Sequence, residues 1–265
     1  MTGSPPPSLE EALGAYVESL DEWAPGLVEG VYVVGSAALG DWQRGHSDVD
    51  IVAVTAEPAT DEDFASIRAA HVALAGRQPQ PWVDGPYVAW GDLVVEPATG
   101  LHRPWVLHDD VHHDGECFEI NPVTWFTLEA YGLIVRGPDP REIGVATDAA
   151  ARVRFVAENL DTYWRAIGER IPTLLDADAF TTADLEWCAL GPLRLHHTLV
   201  TADVTSKRGA GEYGLAAAPT EYHGVIRHAL AIRAGTADGP VGRAEMAAAG
   251  ELILWAAGDA ARWLS

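Results

Sequence analysis

Gly35-Ser36, followed after eleven residues by Asp48-Val49-Asp50, is the stretch whose residue types and spacing could do chemistry; it lies in VYVVGSAALGDWQRGHSDVDIVAV. Side chains alternate faces along a strand, so Asp48 and Asp50 share one side and Val49 and Ile51 the other. Two fixed carboxylates on one face repel each other without a cation. They make a hard-oxygen site for Mg²⁺, which keeps several waters and takes other ligands from phosphates. The Gly-Ser turn lets the backbone approach closely and offers a hydroxyl to a phosphate tail. Either half alone also reads as an ordinary turn or as solvated carboxylates at a strand end; the combination points to a nucleoside triphosphate with a metal.

These residues need strands to hold them. Val31 to Val34 form a β-branched and aromatic run that stops at Gly-Ser, and Asp48 opens a second run, so strands are expected near 30–34 and 48–54. Ser8 with Glu11 is a capping-box pattern that opens a helix through about Trp23, and 61–75 reads as another helix. From 78 to 140 the chain is rich in Pro, Gly, Trp and turn dipeptides, which predicts short strands at 87–90 and 93–95 and a helix near 123–131. Gly137-Pro138-Asp139-Pro140 punctuates the chain, and beyond it the patterning is helical: 148–170, 182–201, 207–216, 221–234 and 241–264. The expected architecture is α/β. An N-terminal domain with a mixed sheet over 1–145 precedes an all-helical bundle domain over 146–265.

A chain of 265 residues suffices for two modest cores. Lys and Arg number 17 against 39 Asp and Glu, a formal charge of -22. That field repels phosphate backbones and argues against nucleic acid, while it attracts a polycation; it equally serves solubility. Cys117 and Cys188 lack metal-ligand spacing and read as reduced thiols. No apolar run approaches a membrane span, and the N-terminus lacks a signal-peptide pattern, so a cytoplasmic protein, working as a monomer, is expected.

Further matches along both halves narrow the reading. They are Ser47-Asp48-Val49-Asp50, Val83-Asp84-Gly85-Pro86-Tyr87, the segment from Leu133 to Pro140, and Leu190-Gly191-Pro192-Leu193-Arg194. Thr198-Leu199, Thr205-Ser206-Lys207 and Gly211-Glu212-Tyr213 follow in order. The chain resembles the aminoglycoside 3''-adenylyltransferases (streptomycin and spectinomycin type) of the nucleotidyltransferase superfamily over nearly its whole length. The resemblance implies transfer of AMP from Mg·ATP to a hydroxyl of an aminoglycoside or aminocyclitol, with release of pyrophosphate, in the cleft between two domains. It implies Asp48 and Asp50 as ligands of one or two Mg²⁺, with Gly35, Ser36 and Ser47 at the phosphates. Arg194 and Lys207, thirteen residues apart, match positions that clamp the triphosphate; the plain alternatives are an intra-bundle ion pair and a solvated helix-end cation.

An alcohol needs a base. Related enzymes use a glutamate on a strand after the metal motif, and Asp84 occupies that place one methylene shorter, although Asp84-Gly85-Pro86 reads equally as a turn; Asp92 and Glu96 are reserves. For the cationic acceptor, Asp184, Trp187, Gly191 and Arg194 share a helix face. Asp184 could pair with a charged group and Trp187 supply a flat wall, or Asp184 could simply serve the helix N-terminus. The family's acceptor-side tryptophan has no clear counterpart, with Trp105 and Trp125 available. The run from His108 to Asp114 reads as a solvated loop rather than a zinc site, for want of a distant ligand pair. The competing expectations are the same chemistry on another small metabolite or a protein hydroxyl, and a non-catalytic nucleotide-binding protein of the same fold.

Overall fold

The helix-start and strand signals on either side of the Gly-Ser and Asp-x-Asp stretch are realised where the sequence places them. The computed structural model describes residues 7–97, 101–113, 115–175 and 180–264. Ser8 and Glu11 close a reciprocal capping box at the start of α1 (Leu9–Trp23), and Thr60 and Asp63 do the same for α3 (Asp61–Arg77). The strands are β1 (Val28–Val33), β2 (Val49–Thr55), β3 (Val83–Ala89), β4 (Trp105–Leu107), β5 (Asp110–His112) and β6 (Leu133–Arg136). They form one sheet in the order β5-β4-β3-β2-β1-β6. Among the described residues only β2 and β3 pair in parallel, the geometry that a crossover through α3 requires; the other pairs are antiparallel. The short helices α2 (Gly35–Ala38), α4 (Trp90–Leu93) and α6 (Pro140–Ile143) and the longer α5 (Pro122–Tyr131) complete this unit.

The sheet separates two cores. On one face α1 and α3 pack Tyr16, Leu20, Ile67 and Leu74 against Val31, Val33, Ile51 and Ala53. On the other, Leu93, Cys117, Trp125 and Leu128 cover Tyr32, Val52, Val54 and Val88. By alternation Asp50 shares the face of Val52 and Val54, and Asp84 that of Val88.

Two expectations need correction here. Residues 93–95 are not a strand: Asp92 accepts a hydrogen bond from the Ala89 N–H and a bidentate pair from Arg103, which turns the chain into α4 and leaves Val94 and Val95 exposed. Asp84-Gly85-Pro86 is not a turn but lies inside β3. Gly85 is required there because a Cβ would sit 2.0 Å from the Ile51 carbonyl oxygen, at φ +144°. Pro86 has no N–H to give to the ladder, and the β2 to β3 register skips Gly85 and Pro86.

The chain divides into compact units at Met1–Asp148 and Ala149–Ser265. The second unit is helical: α7 (Ala149–Asn159), a π-helical turn (Leu160–Trp164), α8 (Arg165–Leu174), α9 (Thr182–Thr201), α10 (Lys207–Ala217), α11 (His223–Arg233) and α12 (Arg243–Ala260). Helix α9 is its axis and packs on α7, α10, α11 and α12 through buried Leu185, Leu190, Leu193 and Leu199. Gly191 admits the indole of Trp164, whose Cη2 would lie 2.5 Å from a Cβ. Among the described residues no helix is long and apolar enough to cross a membrane.

Candidate active site

The carboxylates meet at the start of the parallel strand pair. Asp48 immediately precedes β2, and Asp50 in β2 stands in register with Asp84 in β3, so the three side chains belong to one face. Gly35 sits against Asp50: its φ is +57°, and a Cβ would lie 1.8 Å from Asp50 Oδ2, so any other residue would evict the carboxylate. Ser36 follows in α2 and is half-buried. Ser47 Oγ accepts from the Gln43 N–H at 3.1 Å, and Trp42 Nε1 donates to the Asp48 carbonyl at 3.1 Å, which together shape the loop into β2.

The stretch expected to be a solvated loop is a β-hairpin. His108 and Asp109 form the two-residue turn between β4 and β5, with φ of 51° and 67°. Such turns demand left-handed backbone at both positions and usually take Asn-Gly; side-chain-bearing residues there cost about 1 kcal/mol or more each. The turn brings the His108 N–H to 2.9 Å from Asp84 Oδ1. Ligand atoms of Asp48, Asp84 and the His108 ring lie within 4.8 Å of one another. The distant ligand pair that the sequence lacked is supplied by the neighbouring strands. The ring of His108 packs on Trp82 with centroids 4.2 Å apart. His112 instead stacks on Trp105, and His113 pairs with Asp61, so the histidines of this run part company; Asp114 lies outside the described residues.

Glu119 was missed by sequence reasoning. It lies between buried Cys117 and Ile120, just before Asn121, which caps α5 by accepting from the Val123 and Thr124 N–H groups. Burial, then repulsion from Asp50 and Asp84, pushes its carboxyl up to about 8. Burial likewise lifts Asp84 to about 7, with Asp48, Asp50 and Asp109 adding repulsion and the His108 N–H opposing it. Four mutually repelling carboxyl groups with a glycine-cleared cradle suit a divalent cation by the chemistry of their donors. No spacing rule relates Glu119 to Asp50; the Asn121-Pro122 helix start was the available signal that its backbone is held.

The reserve bases fare differently. Asp92 is engaged with Arg103, and Glu96 is exposed beyond α4. Trp125 is fully buried in the core and is no acceptor wall. Trp105, across the ladder from Pro86, is on the carboxylate face, and its indole Nε1 is buried without a hydrogen-bond partner.

In the helical unit, Lys207 opens α10 and donates to Glu186 Oε1 at 3.0 Å, an oxygen that Arg233 also reaches at 3.1 Å. Lys207 is therefore not a freely solvated cation, nor Glu186 a surface carboxylate, since Glu186 is buried. Arg194 is half-buried on α9. Asp184 completes a capping box with Thr181, accepting from its N–H at 2.8 Å and its hydroxyl at 2.6 Å. Trp187 is 38% exposed and packs on Trp164 at 4.5 Å, beside Tyr163.

Residues 15–84 match the nucleotidyltransferase domain family, and residues 158–251 match the aminoglycoside adenylyltransferase C-terminal domain family. The chain thus carries, in this order, a nucleotidyltransferase domain and an aminoglycoside adenylyltransferase C-terminal domain. Both matches fall in their expected order, and Gly35, Asp48, Asp50 and Asp84 lie within the first. Among solved structures, a spectinomycin adenyltransferase, AAD(9) from Enterococcus faecialis, determined with ATP and spectinomycin, superposes with a TM-score of 0.71. It is 14% identical, and the alignment covers 94% of this chain and 99% of that one, a likeness of fold. No curated protein matches the chain. This adenylyltransferase is a nucleotidyltransferase enzyme with a mixed-sheet first unit and a helical second one.

Proposed function

We propose that the protein transfers AMP from ATP to a hydroxyl of a cationic aminoglycoside or aminocyclitol, of the streptomycin and spectinomycin kind, releasing pyrophosphate. The observation that carries this is the convergence of Asp48, Asp50 and Asp84 on one face beside the Gly35-Ser36 turn, in a chain whose second unit matches the aminoglycoside adenylyltransferase domain. The ATP-bound AAD(9) structure supports ATP as donor. Asp48 and Asp50 would hold Mg²⁺ or another dication, which neutralises charge at the α-phosphate and on the departing pyrophosphate when bound. Gly35, Ser36 and Ser47 bind phosphate oxygens, and Arg194 and Lys207 supply cations to the triphosphate as their family positions imply.

Proton acceptance from the acceptor hydroxyl falls to the Asp84 and Glu119 pair, whose carboxyls burial and neighbouring carboxylates raise to about 7 and about 8 in the cation-free protein. Asp184 and Trp187 receive the acceptor's charge and ring. ATP as donor makes the cytoplasm the working compartment, and neither nucleic acid nor a second copy of the chain is needed.

A second reading, a different small cationic acceptor, is favoured by the capping box that already engages Asp184. Pyrophosphate release across a panel of aminoglycosides, with mass spectrometry of each product, decides between them. An adenylylated antibiotic is the expected result, and Asp48→Asn or Asp50→Asn should lower its rate by about a thousandfold or more with the circular dichroism spectrum unchanged. Full activity in those variants would remove the metal assignment. Silence across the panel with Mg·ATP still bound would favour the other acceptor.

A further inference from the structure

The hairpin tip adds a nitrogen to a centre that otherwise offers only oxygen. We propose that the His108 imidazole is a metal ligand together with Asp48 and Asp84, so that the centre takes Mn²⁺ in preference to Mg²⁺. The inference rests on the nucleotidyltransferase reading for the presence of a metal and goes beyond it in ligand set and in metal; with Asp84 on the ion, proton acceptance falls to Glu119.

Three observations converge on His108. Its ligand atom lies within 4.8 Å of those of Asp48 and Asp84, a span one ion can bridge. Its backbone is anchored to Asp84 Oδ1 at 2.9 Å, and its ring rests on Trp82, so both the position and the plane of the imidazole are restrained before any ion arrives. A left-handed histidine at φ 51° occupies a turn position where asparagine or glycine is the unstrained choice. Carboxylates, waters and phosphates suit Mg²⁺ and Mn²⁺ alike, whereas a nitrogen donor favours a first-row transition ion over Mg²⁺, and Mn²⁺ is the one of these that also suits an oxygen-rich shell. No electron transfer is involved: the neutral imidazole gives its lone pair, and a bound water leaves.

The test is pulsed electron paramagnetic resonance of the protein loaded with stoichiometric Mn²⁺, with and without a non-hydrolysable ATP analogue. The expected result is ¹⁴N modulation from a directly bound imidazole, lost in His108→Asn, which tolerates the left-handed turn, and retained in His113→Asn. Calorimetric titration should show Mn²⁺ affinity falling about tenfold or more in His108→Asn, with Mg²⁺ affinity changed less than twofold. Wild-type Mn²⁺ bound without ¹⁴N modulation, or a signal that survives His108→Asn, overturns the proposal and leaves adenylyl transfer standing. Failure to bind either ion, with or without the analogue, overturns both.

Discussion

Asp84 shows how one side chain's chemistry depends on neighbours the sequence does not place beside it. Its carboxyl is raised to about 7 and that of Glu119 to about 8, each first by burial and then by the other carboxylates. The sign of the resulting linkage follows. The folded, cation-free protein binds more protons than the unfolded chain between the ordinary carboxyl range and about pH 8, so these two groups favour folding below about pH 4 and lose that contribution as pH rises through 7 and 8. Thermal melts in chelator should therefore show the wild-type transition falling from pH 5 to 8.5 more steeply than that of Asp84→Asn. A divalent cation should flatten the wild-type curve, because it replaces the protons. Equal slopes for the two proteins would mean that Asp84 ionises normally.

At the scale of elements, the parallel pairing of β2 with β3 aligns Asp50 with Asp84, and Gly85 makes that pairing possible. A side chain at Gly85 meets backbone, which cannot rotate away, at a φ that non-glycine residues rarely adopt. Gly85→Ala should cost about 3 kcal/mol, read as a lower urea midpoint, with activity lost in parallel since both aspartates move with their strands. An unchanged midpoint would show that the strands part without penalty. The β4 to β5 hairpin has the complementary role: its two-residue turn brings the His108 N–H, 24 positions from Asp84, to the Asp84 carboxylate.

For the whole molecule, the charge of -22 acts at long range. A polycationic acceptor is drawn toward such a surface, and salt screens the attraction over a Debye length of about 8 Å at physiological ionic strength. Raising added salt from about 50 to 300 mM should raise KM for an aminoglycoside roughly threefold to tenfold while kcat stays constant, an order of magnitude set by electrostatic steering. A KM indifferent to salt would assign the acidity to solubility alone.

What the sequence determined by itself is local or strictly periodic. Alternation put Asp48 and Asp50 on one face, capping boxes started α1 and α3, and the helical period of the second unit was visible along its length. Family likeness was legible for the same reason, since its motifs are short and ordered. Only the tertiary structure decided what depends on contacts between distant segments. It drew His108 and Glu119 toward the aspartates, made Asp84-Gly85-Pro86 a strand rather than a turn, and set Lys207 and Arg233 on one oxygen of Glu186. Those outcomes follow from strand register and burial, and neither is encoded in the spacing of any single segment.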